Sequence, residues 1–160
     1  MRTRGLDVSA RELFVAVSDE NGLRQALGAE LAHLADHTPT LLRLLHRAAF
    51  DLALPVPSRH LAAAAALYLQ EPVDFLADRP GSSGDGVVDN VYVGWAAFSA
   101  LLRRHGPTVL ARLLPRAQVM DELVLGVELL PQLAAHVPPR VLGLVDRYLA
   151  LPILYPSDDN

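Results

Sequence analysis

Leu23, Leu27, Leu31 and Leu34 recur at steps of four, four and three residues. That spacing lines one face of an α-helix and fits no strand, whose side chains alternate with period two. Val88, Val91, Trp95, Phe98 and Leu102 repeat it, stepping by three and four up to Gly106-Pro107. A chain patterned this way buries its apolar stripes by packing helix on helix.

Punctuation residues divide the pattern. Ser9 to Glu12 reads Ser-Ala-Arg-Glu, a capping box opening a short first helix that ends near Asn21-Gly22. The leucine-stepped helix follows, with His37 at its frayed end. Thr38-Pro39 then reads as a cap before a proline at the first helical position, and Leu41, Leu42, Leu44, Leu45, Ala48, Ala49 and Leu52 form a wide apolar face. Pro55 and Pro57 break the chain, Ser58 caps again, and the Ala-rich run from Leu61 to Leu69 reads as a central helix that neighbours approach closely. Segments 107–117, 119–135 and 139–151 have helical period, with breaks or kinks at Pro115 and Pro131. The expectation is an all-α fold, a compact multi-helix bundle of about seven or eight helices in one domain over 1–151, with a flexible tail at 152–160 and a central helix pair joined by an acidic connection.

Composition supports this and excludes several chemistries. Apolar residues make up 51% of the 160 residues, and they are mainly Leu, Ala and Val, which favours helices over a β-sandwich. No cysteine is present, so disulfides, thiolate metal sites and cysteine nucleophiles are excluded. Met1 to Arg4 is basic, but Asp7, Arg11 and Glu12 interrupt any apolar stretch behind it, which points to a cytoplasmic chain. All 14 basic residues are Arg and the net charge is −4. The negative charge and the lack of aromatics among the basic segments argue against nucleic acid as a partner.

Between the expected helices four and five, Tyr68, Pro72, Asp74, Leu76, Asp78, Gly84, Asp89 and Val93 stand in an arrangement that resembles the YkvA-like domain of unknown function, over residues 68–93. Ala77 stands where that pattern has Pro, and Asn90 where it has the second Asp of a pair. The resemblance implies a helical hairpin-like core with a tight acidic connection.

Two readings of that connection follow from the residues. Asp74, Asp78, Asp85 and Asp89 are short acids able to cap new helix starts, where the helix dipole also favours negative charge. The sharper reading makes the same four carboxylates ligands of a hard cation, Mg²⁺ or Ca²⁺, with the spacing unlike an EF-hand loop. His33 and His37, four apart, are a weaker pair for a transition metal, because the Glu of a metalloprotease helix is missing between them. No serine and histidine stand in a recognisable triad order.

Charge is segregated along the chain. From Val91 to Met120 the charged side chains are Arg103, Arg104, Arg112 and Arg116 only, whereas 71–89 holds five acids against one Arg. Ordinary solvated helix ends account for this, and so would steering of a partner or docking of two copies. The functional expectation is a non-enzymatic interaction or scaffold module that self-associates, with no catalytic residue and no cofactor. The alternatives are cation-dependent activity at the four aspartates, and peripheral membrane association through Arg-flanked Leu-rich segments such as 107–117.

Overall fold

The computed structural model describes residues 28–70 and 85–154. Every regular element among them is helical: a 3₁₀ turn at Ala29–Leu31, then α1 (Ala32–Phe50), α2 (Val56–Gln70), α3 (Asp85–Ala111), α4 (Gln118–Glu128), α5 (Leu130–Ala134) and α6 (Pro139–Leu154). Six α-helices are therefore present among the described residues. The expected first helix after Ser9 lies outside them.

The expected boundary at Thr38-Pro39 does not exist, because α1 runs straight through it with Pro39 inside the helix. Pro39 has no amide to offer the carbonyl of Ala35, a defect that costs about 3 kcal/mol. Against this, Leu34, Leu41, Leu42, Leu44 and Leu45 are all at most 2% exposed, and burying each leucine contributes about 1.5–3 kcal/mol. One continuous apolar face outweighs one lost hydrogen bond. Thr38 is consequently not a cap: its hydroxyl donates to the Leu34 carbonyl at 2.6 Å, one turn back.

A tight turn from Asp51 to Pro55 folds α2 back along α1. The carbonyl of Pro55 accepts the amides of Ser58 and Arg59, at 3.0 and 3.1 Å, and so starts α2. Pro57 is tolerated here because first-turn amides have no intrahelical partner. Ala62, Ala65 and Ala66 are buried, so α2 packs closely on α1, α3 and α6 and occupies the central position its alanines predicted.

α3 lies antiparallel to α2, with Gly94 facing Leu69 near one end and His105 meeting Ser58 at the other. Gly106 interrupts α3 at φ 78°, ψ 164°, a backbone conformation open to glycine and strained for other residues. Of the expected helix over 107–117, only Pro107 to Ala111 is helical, and Arg112 to Ala117 forms a turn. The predicted break at Pro131 is present, since α4 ends at Glu128 and Pro131 sits in the first turn of α5. α6 continues past Pro152 to Leu154, so the expected tail is helical for its first three residues. A single apolar cluster, with Trp95, Phe98 and Leu101 of α3 fully buried, unites all six helices.

Candidate functional site

Of the four acids proposed for the connection, Asp74 and Asp78 lie outside the described residues, and Asp85 and Asp89 belong to the first two turns of α3. Asn90, next to Asp89, is 5% exposed, and its Oδ1 is buried without a hydrogen-bond partner. At so buried a position a neutral amide avoids the heavy desolvation of a second carboxylate. Among the described residues no group of three or more His, Asp or Glu is arranged to hold a metal ion.

His33 and His37 do come together, with ring centroids 4.2 Å apart and planes tilted by 56°. His37 is inside α1, not at a frayed end, because the helix continues through Pro39. Both imidazoles reach Glu122 of α4. His33 Nε2–H donates to the Glu122 backbone carbonyl at 2.8 Å, and His37 Nδ1 is 3.4 Å from Glu122 Oε2. Burial holds the His37 pKa below its ordinary value and His33 lowers it further, while Glu122 and Asp36 pull upward. The pair thus serves as a tie between α1 and α4.

Ser58 and His105 form a contact that spacing gave no means to find, since 47 residues separate them. Ser58 Oγ and His105 Nε2 are hydrogen-bonded at 2.7 Å, the tautomer of the histidine setting which one donates. Ser58 is the third residue of α2 and not its cap. The geometry is that of a nucleophile beside its base, yet Ser58 is only 2% exposed. This contact joins the start of α2 to the part of α3 just before its kink at Gly106.

Among the described residues, the two most exposed large apolar side chains lie on either side of Asp51, where α1 ends and the α1–α2 turn begins. Phe50 is 73% exposed and Leu52 83%. Leu52, expected on a buried helix face, instead follows the end of α1. Between the two, Asp51 is tied in four directions. Its amide donates to the Ala48 carbonyl at 3.3 Å, and its carbonyl accepts the Leu54 amide at 3.0 Å. Its Oδ1 accepts the Ala53 amide at 2.9 Å, and its Oδ2 accepts Arg112 Nη2 at 3.0 Å. Arg47 donates to the Leu113 carbonyl at 2.8 Å, fastening the 112–117 turn to the same end. Leu54 points inward and is buried. Two large apolar side chains, the last of α1 and one in the turn, therefore stand exposed on either side of a hydrogen-bonded Asp51.

Among the described residues no helix is long and apolar enough to cross a membrane. Comparison of the chain with protein-family models, with curated proteins and with solved structures finds no match.

Proposed function

We propose that this chain is a non-enzymatic helical interaction module that docks through the end of the bundle where α1 turns into α2. The observation that carries this reading is the exposure of both Phe50 and Leu52, on either side of Asp51, whose hydrogen bonds fix the turn. Single exposed apolar residues are common on any surface. Two of them on either side of the anchored Asp51, one closing α1 and one in the turn, stand on an ordered backbone and so lose little backbone entropy on binding, which is what a recognition element needs. Tyr68 and Val93, two positions of the YkvA-like resemblance, are core residues of the α2–α3 pair, in keeping with a hairpin that supports the docking end.

Two measurements test the reading. The double variant Phe50→Ser, Leu52→Ser is expected to melt within a few degrees of the parent, because side chains this exposed contribute little to folding. A drop of the size caused by a core substitution would mean that these residues serve the fold, and the reading would fall. A serine-reactive fluorophosphonate is expected to leave Ser58 unlabelled. Labelling that disappears in Ser58→Ala would instead make the Ser58–His105 pair a catalytic site.

A second reading is favoured by one atom, the unpartnered Oδ1 of buried Asn90 beside Asp89. A hard cation held by Asp74, Asp78, Asp85 and Asp89 would give that oxygen a partner, since Mg²⁺ and Ca²⁺ take amide and carboxylate oxygens. Melting in excess Ca²⁺ or Mg²⁺ against chelator decides it. A bound ion raises the midpoint, and identical curves reject the site.

A further inference from the structure

The end of the bundle that carries Phe50 and Leu52 is also where positive charge collects. Segments 43–60 and 103–117 are brought together there by three contacts: Ser58 with His105, Arg112 with Asp51, and Arg47 with the Leu113 carbonyl. These two segments contain seven of the chain's 14 arginines and one acid, Asp51. That acid is already neutralised by Arg112. Arg43, Arg103, Arg104 and Arg116 are exposed. Gln70 and Asp85, which flank the acid-rich stretch between α2 and α3, stand at the other end of that hairpin. A helix of the length of α2 separates the two ends by roughly 22 Å.

We propose, resting on the docking reading above, that this basic, apolar-tipped end binds an anionic lipid surface, with Phe50 and Leu52 entering the boundary between headgroups and acyl chains and the exposed arginines facing lipid phosphates. An aromatic and an aliphatic side chain at the tip of a cationic surface match the two layers of such an interface, hydrocarbon below and phosphate above. A nucleic acid would meet the arginines equally well but would leave Leu52 without an apolar partner. A second copy docked through the same end would bring like charges face to face.

The test is co-sedimentation of the full chain with phosphatidylcholine vesicles, with and without phosphatidylserine, at low and high salt. Binding is expected only with phosphatidylserine and is expected to weaken as salt rises. Phe50→Ser with Leu52→Ser, and separately Arg43→Gln with Arg104→Gln and Arg116→Gln, should each weaken it about tenfold or more. Equal binding to neutral vesicles, or binding indifferent to either set of substitutions, overturns the proposal. So does absence of vesicle binding, whether the chain instead binds an oligonucleotide duplex or self-associates through Phe50 and Leu52 in sedimentation equilibrium. Failure on vesicles with an unchanged melting midpoint of the Phe50 and Leu52 variant removes the lipid and leaves a docking module, whereas a lowered midpoint removes the docking module itself.

Discussion

The ring of Trp95 fills the space that a Cβ at position 126 would occupy. An added methyl there would collide with Cη2 and Cζ3 of the indole and would lie 3.2 Å from Leu34 Cδ2. Helices α1, α3 and α4 therefore converge on a residue that has no side chain. The indole itself meets Phe98 edge-on, with centroids 6.1 Å apart and planes at 84°, a favoured aromatic geometry.

Gly126→Ala is the first consequence. Helix propensity alone would make this change stabilising, by about 1 kcal/mol. The collision reverses the sign, because Trp95 is fully buried and overpacking of a filled core costs about 1–3 kcal/mol. Urea denaturation should report a loss of that size. Gly143→Ala is the control: nothing lies within 4 Å of the added methyl, and a gain of about 0.5–1 kcal/mol is expected.

Thr38 links Trp95 to the backbone of α1. The indole N–H donates to Thr38 Oγ1 at 3.3 Å, and the hydroxyl in turn donates to the Leu34 carbonyl. Thr38→Val keeps the shape and removes both bonds, leaving a buried indole N–H without an acceptor, at about 1–3 kcal/mol. Thr38→Ser should recover most of that. The chain has one tryptophan, so its fluorescence reads the change in environment directly. Parental stability in Thr38→Val would mean that the bond contributes nothing.

Acid should loosen the α1–α4 tie through His37. Its folded pKa is held below the ordinary 6.5 by burial and by His33, so the unfolded imidazole takes up a proton more readily than the folded one. Stability is then complete above pH 6.5 and falls as the pH drops below that value towards the folded pKa. Thermal midpoints from pH 8 to pH 5 should decline on the acid side. His37→Gln should reduce the slope in that window, and an unaltered slope would assign the acid sensitivity to other groups.

Asp51 is predicted to matter locally. Its contact with Arg112 involves an arginine side chain about half exposed, so solvent screening limits that pair to roughly 0–1 kcal/mol. Asp51→Ala also leaves the Ala53 amide without its side-chain acceptor, and the two losses together should lower stability by about 1 kcal/mol. Asp51→Asn retains an acceptor for Ala53 and should lose less. Hydrogen exchange at Ala53 separates the variants, with faster exchange expected in Asp51→Ala only.

Helical spacing of Leu, Ala and Val was enough to specify the all-helical character of the described residues, the central place of the Ala-rich α2 and the breaks near Gly106 and Pro131. These follow from local rules: side-chain period, missing amides at proline, and the backbone freedom of glycine. Thr38-Pro39 obeyed the local rule for a helix start, yet α1 runs through it, because the leucines on either side face one shared core and their burial exceeds the defect of a single proline. The pairings of Ser58 with His105, of His33 and His37 with Glu122, and of Arg112 with Asp51 join residues far apart in sequence, and no periodicity encodes them. Exposure is likewise a property of the packed bundle. Leu52 shares its chemistry with Leu45 and stands only a few residues away, but one lies in the core and the other in water because the chain turns at Asp51.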